Sequence, residues 1–218
     1  MGLATLLADL GVRWESDQAS EVVGQIFEAY EIARIKASNT LAQEKGTYPL
    51  YEGSDWDTGA YFEKRGFDSP EWLEVKDLVM NHGGVRNGYM GAVAPTGQNS
   101  MVTSCSPSLD AMYEVIYQDE KSGMNVTIIP NNYSAKTKWF YKSAFEMDEK
   151  WSMKIIAAAQ RHIDQGISHN LHLHKDIKAS ELLDLHMYAW KNGLKTLYYN
   201  YMDINAVNRK ENCVSCES

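Results

Sequence analysis

The stretch DEKWSMKIIAAAQRHIDQGISHNLHLH, residues 148–174, carries two hydrophobic periods in succession. Trp151, Ile155, Ala159 and Ile163 recur at helical spacing behind a capping Asp148, which predicts a helix over residues 148–165. Beyond Gly166 the run from Ile167 to Leu173 reads as a strand. The same order then repeats. Ser180 to Asn192 predicts a capped helix with Leu183, His186 and Trp190 turned inward, closed by Gly193, and Leu194-Lys-Thr-Leu-Tyr-Tyr199 is strand-like. Strands separated by helices predict an α/β layout with at least partly parallel strands.

Toward the amino terminus, Val22, Val23, Ile26, Phe27, Tyr30 and Ala33 recur at helical spacing, so residues 17–45 are expected to form one long helix, capped by Ser16 or Asp17 and stopped by Gly46. Thr47 to Ser69 has no period and is expected to be an ordered surface excursion held down by Tyr51, Trp56 and Phe62. A short helix follows from Pro70 to Asn81. Tyr89 to Ala94, ending at Pro95, is expected to be a buried strand, and Asn125 to Ile129 another. From Asn200 onward the chain is polar and unpatterned, which divides it into a body, residues 1–199, and a flexible tail, residues 200–218.

With 218 residues, 44% of them hydrophobic and 23% charged, the chain is long enough for one domain with a proper core. The formal net charge of −8 and the lack of any basic block argue against a nucleic-acid partner. The apolar stretch from Met1 to Leu10 contains Asp9 and is too short to span a bilayer or to act as a signal peptide, so no membrane association and a cytoplasmic location are expected, the host cytoplasm if the source is viral. Three cysteines, Cys105, Cys213 and Cys216, do not make a disulfide framework.

Three groups of residues can carry chemistry. Pro95-Thr96-Gly97-Gln98-Asn99, ahead of Ser100, lies between a predicted strand and a predicted helix. Free backbone N–H groups there suit phosphate oxygens, and Gly97 permits close approach; a plain capped turn is the other reading. Tyr198 and Tyr199 are either packing aromatics on opposite faces of a strand or a redox pair, since phenols give up an electron and a proton together. Cys213 and Cys216 are spaced to close a disulfide or to form half of a zinc site, for which His172 and His174 are the available partners. Cys105 is expected to be buried and inert. His82, His162, His169 and His186 show no metal-ligand spacing and are expected to be ordinary core or surface histidines.

Five motifs in order resemble the carboxy-terminal third of class I ribonucleotide reductase large subunits. They are Ile35-Lys-Ala-Ser-Asn39 with Leu41-Ala-Gln-Glu-Lys-Gly46, Val85-Arg-Asn-Gly88, Ala92-Val-Ala-Pro-Thr-Gly97, Ile163-Asp-Gln-Gly-Ile-Ser168, and Gly193-Leu-Lys-Thr-Leu-Tyr-Tyr199. The resemblance covers nearly the whole chain and implies the last part of a ten-stranded α/β barrel. It implies that the turn from Pro95 to Asn99 holds the diphosphate of a ribonucleoside diphosphate. Tyr198 and Tyr199 would relay a radical from a small subunit, which carries the metal-radical cofactor, to an active-site cysteine. Cys213 and Cys216 would re-reduce the active-site disulfide and be recharged by thioredoxin or glutaredoxin. No cofactor or metal is expected on this chain itself. The 14 steps from Tyr199 to Cys213 give a flexible segment an r.m.s. reach of roughly 20 Å and a limit near ~50 Å, enough to swing between a buried site and the surface.

The family's radical cysteine, in an Asn-x-Cys-x-Glu pattern, and its reducing dithiol on earlier strands do not occur here. A partner fragment holding the amino-terminal part is therefore expected to complete the barrel, since part of a barrel leaves strand edges and an apolar face uncovered. The rival expectations are a docking or regulatory module without catalysis and a domain stabilised by zinc on His172, His174, Cys213 and Cys216.

Overall fold

The computed structural model describes residues 1–121 and 124–203. In chain order the elements are α1 (Leu3–Asp9), α2 (Asp17–Lys45), α3 (Ala60–Arg65), α4 (Pro70–Asn81), α5 (Gly97–Val102), β1 (Tyr117–Lys121), β2 (Met124–Ile128), α6 (Glu149–Gln160), β3 (Leu171–His174), α7 (Ala179–Lys191) and β4 (Asn200–Asp203). β1 and β2 form an antiparallel pair, whereas β3 and β4 run parallel with Leu171 opposite Asn200 and His174 opposite Asp203. The mixture of helix and strand agrees with an α/β class. Helix α7 lies between the two parallel strands in sequence, as a crossover requires. The chain divides into two compact units, one made of Met1–Glu21, Val93–Ala157 and the chain from Ile167, the other of Val22–Ala92 and Ala158–Gly166.

The second unit has an aromatic core of Ile32, Ile35, Trp56, Tyr61, Phe62, Phe67, Trp72, Val75, Val79 and Val85. Trp56 stacks on Tyr61 at 3.6 Å and Phe67 on Trp72 at 3.9 Å. Each such ring contributes about 2–3 kcal/mol by leaving water. The stretch expected to be a surface excursion thus supplies much of this core, and it includes α3. Helix α4 begins where its signals place it, with the Ser69 hydroxyl accepting from Trp72 N and Pro70 in the first turn.

Helix α2 has the predicted bounds but not the predicted inner face. Ile26, Tyr30 and Ala33 are exposed, and the buried positions include Val23, Glu31, Ile32, Ile35, Ser38, Asn39 and Ala42. The polar members of this stripe are admitted because partners await them. Asn39 donates to the carbonyls of His82 at 2.9 Å and Gly84 at 2.8 Å. Glu31 accepts from the Tyr61 phenol and lies 2.8 Å from His162 Nδ1.

Tyr89 to Ala94 is not a buried strand: Tyr89 and Ala94 are exposed and only Val93 bridges, in parallel, to Ile167. The Asp164 carboxylate accepts the Met90 and Gly91 N–H groups at 2.6 and 2.8 Å, taking two donors that a ladder would use. The helix expected to reach residue 165 stops at Gln160, whose side-chain amide donates to the carbonyls of Ile163 and Gln165.

In the first unit, Leu3, Leu7, Trp14, Met112, Phe145, Met153, Ile156, Leu171 and Leu173 are buried. Helix α7 turns a different face inward from the one expected. Leu183 is 61% and Trp190 70% exposed, while Ala189 is buried and Leu182 and Leu185 are half-buried. Its sequence carries two apolar stripes, so periodicity alone cannot choose between them. Asn200 to Asp203, assigned to the tail, is strand β4.

Candidate functional site

The parallel ladder positions the tyrosine pair. Upstream of β4 the backbone stays paired with the chain leading into β3: Tyr198 N donates to His169 O and Leu171 N to Tyr199 O, both at 2.8 Å. Thr196 Oγ1 donates to Ile167 O at 2.9 Å. The pair is therefore held by main-chain bonds on a segment that is otherwise exposed. Tyr198 is 49% and Tyr199 54% exposed. Their ring centroids lie 4.1 Å apart at an interplanar angle of 51°. The hydrogen bond to Tyr199, with the nearby Tyr199 phenol's charge, pushes the Tyr198 phenol above its usual range. Both rings face the same side and meet, instead of dividing between core and surface as adjacent strand residues would.

The turn at residues 95–99 belongs to the same unit. Thr96 has φ 46°, a left-handed conformation that costs a β-branched residue energy, and Ser104 and Ser108 share it at 50° and 45°. Thr96 closes the turn by accepting Ser100 N at its carbonyl and Ser108 N at Oγ1, each at 3.0 Å. Ser108 Oγ in turn donates to Ser168 O at 3.1 Å, and Ser168 N to Val93 O at 3.0 Å. The turn is thus hydrogen-bonded to the segment that leads into the tyrosine ladder. Gly97 begins α5 with open space where a side chain would stand, and Gln98 and Asn99 are exposed. The first N–H groups of a helix have no acceptor within it.

The ribonucleotide reductase barrel-domain model matches residues 1–200. The chain belongs to that family. It is 42% identical over 198 residues, 91% of its length, to the ribonucleoside-diphosphate reductase subunit alpha of Treponema pallidum (strain Nichols). It is 32% identical to the corresponding subunit of Bacillus subtilis (strain 168) across 99% of its length, and 30% identical to that of Helicobacter pylori (strain ATCC 700392 / 26695) across 100%. It spans only 23% of the first relative, 33% of the second and 30% of the third.

Within this barrel-domain chain the structure adds residues that the sequence left unconnected. His169 is buried with its Nδ1 2.9 Å from Asp110 Oδ1 and its Nε2 3.8 Å from Glu149 Oε2. Glu149 Oε1 accepts His172 N at 2.5 Å and lies 3.4 Å from His172 Nδ1. Asn170 Nδ2 donates to the second Asp110 oxygen at 2.7 Å. Two carboxylates and two imidazoles thus alternate in a buried row, and His169 has a carboxylate at each ring nitrogen. His169 Nε2 and Glu149 Oε2 face each other just beyond hydrogen-bonding distance, and neither has another partner. Asp110, Glu149, His169 and His172 are scattered over more than 60 positions, and no local spacing announces them.

His172 is buried against Glu149, while His174 lies at the exposed end of β3. No helix among the described residues is long and apolar enough to cross a membrane. Cys105 is half-buried, not fully buried, and its sulfur lies 3.0 Å from Thr103 Oγ1. Cys213 and Cys216 lie outside the described residues.

Proposed function

We propose that this chain contributes the diphosphate-binding turn, the radical-relay tyrosines and the tail dithiol to the reduction of ribonucleoside diphosphates to deoxyribonucleoside diphosphates. It works with the remaining portion of a large subunit, on the same or another polypeptide, and with a radical-bearing small subunit. The observation that carries the reading is the tyrosine pair. In a barrel-domain chain of this family, two phenols at 4.1 Å, pinned by backbone bonds, suit stepwise radical transfer. Each step moves one electron and one proton, so the ring taking up the radical ends one hydrogen atom short and its donor is restored. The small subunit supplies the initial oxidising equivalent.

The turn from Pro95 to Asn99 would bind the substrate diphosphate through the main-chain amides of α5's first turn. Thr96, held in its strained conformation by two hydrogen bonds, keeps those amides in place without substrate. Cys213 and Cys216 would carry reducing equivalents from thioredoxin or glutaredoxin. Exposed Leu183, Met187 and Trp190 on α7, with β3 and β4 pairing only with each other among the described residues, support completion of the barrel by further large-subunit chain.

Reconstitution tests the proposal. With the rest of the large subunit, the small subunit, a ribonucleoside diphosphate and a thiol reductant, the chain should yield deoxynucleotide. Tyr199→Phe should abolish turnover without weakening assembly; normal turnover by that variant would remove the relay role. Cys213→Ser should spare a single turnover but stop multiple turnovers driven by thioredoxin, and equal loss of both would exclude a shuttle.

A further inference from the structure

The tyrosine pair does not end the aromatic row. Tyr201 lies 6.1 Å from Tyr199 between ring centroids, at 61°. Tyr201 also stacks on the His172 imidazole at 5.7 Å and 19°. Its place is set twice over. In β4 its backbone is registered opposite His172, and His172 is fixed by Glu149 through both its main-chain N–H and its Nδ1. Tyr198, Tyr199 and Tyr201 therefore form three phenols in sequence, each a near neighbour of the next and each partly open to water.

We infer that Tyr201 is a third redox-active tyrosine, which exchanges the radical with Tyr199 and is held in place by stacking on His172. The inference rests on the relay reading of Tyr198 and Tyr199. When Tyr199 is the phenoxyl radical, one electron passes from Tyr201 to it. The Tyr201 phenol releases its proton to water and the Tyr199 oxygen takes one up, so a hydrogen atom is exchanged in net and no further oxidant is needed. Tyr199 and Tyr201 are each partly exposed, which brings water to both side chains. Two phenols in similar surroundings have similar potentials, which makes the exchange reversible and Tyr201 a place where the radical can wait beside the relay. His172 is a positioning residue: it stacks on the Tyr201 ring.

3-Aminotyrosine, which is oxidised more easily than tyrosine and retains the radical, tests this when placed singly at 199, 201 or 30 in the assembled reductase. Tyr30 is exposed and belongs to the other compact unit. After mixing with small subunit and a ribonucleoside diphosphate, electron paramagnetic resonance of freeze-quenched samples should show an aminotyrosyl radical at 199 and at 201 and none at 30. A signal at 199 without one at 201 overturns the inference and leaves the relay standing. No signal at 199 or 201 overturns both. Equal signals at 201 and 30 would mean indiscriminate oxidation and also overturn it. His172→Leu should remove most of the signal at 201 while preserving that at 199, and His172→Phe, which keeps a stacking ring, should restore it. Unchanged yield at 201 in His172→Leu refutes the positioning role.

Discussion

Tyr61 allows a stability change to be worked out from the structure with its pH dependence. Its phenol is buried and donates to the buried Glu31 carboxylate, which also meets His162. Burial foremost, and then the negative charge of Glu31, raise its pKa from the ordinary 10.0 to beyond the alkaline working range. A pKa raised by folding means stability that is fully present below pH 10 and is lost as pH rises toward the folded-state value. The unfolded chain then releases a proton that the folded chain keeps. At pH 11 the loss from this phenol is about 1.4 kcal/mol. Replacing Tyr61 by Phe removes a hydrogen bond to a charged group, which costs about 1.5–3 kcal/mol at neutral pH. Urea unfolding of the full chain and of Tyr61→Phe at pH 8 and pH 11 compares the two. The gap between them should narrow by about 1.4 kcal/mol at the higher pH, because the variant has no phenol to titrate. A gap that is the same at both pH values, or wider at pH 11, would refute the burial argument. Tyrosinate absorbance gives an independent check, since the Tyr61 phenol should ionise only when the chain unfolds.

Asn39→Ala should lower the unfolding free energy by about 1–3 kcal/mol in a urea titration, because it leaves the Gly84 carbonyl without its donor and the His82 carbonyl with the Gln43 amide alone. An effect below that of an ordinary surface substitution would mean that water replaces the amide. Gly91→Ala should destabilise by about 1–3 kcal/mol, since the new Cβ would stand 1.7 Å from Arg34 Nη1, and the guanidinium is tied to His162 O at 2.8 Å. In an Arg34→Ala background the same change should cost almost nothing, and additive effects in the double-mutant cycle would contradict the contact.

Local signals read well wherever the chain punctuates itself. Ser69 and Pro70 start α4, Asp17 and Gly46 bracket α2, and Gly193 closes α7, because caps and left-handed glycines act within a few residues of themselves. Helical faces are not fixed by such local signals. α7 offers Leu182, Leu185 and Ala189 or Leu183, Met187 and Trp190, and only the neighbouring surfaces decide between them. In α2 the inner stripe includes Glu31 and Asn39, which no hydrophobic period would place inside; their partners arrive from residues 61–162.

The same division runs through the candidate site. By itself the sequence determined the family motifs, the turn from Pro95 to Asn99, the tyrosine pair and the tail cysteines, because each is a contiguous pattern whose chemistry depends on spacing along the chain. Only the tertiary structure decided that Tyr198 and Tyr199 meet on one side, that Tyr201 continues their row onto His172, and that Asp110, His169 and Glu149 back it from within. The physical reason is the parallel pairing of β3 with β4. It lays residues 198–203 beside residues 169–174, and with a helix between the strands no local pattern records which side chains the register brings together.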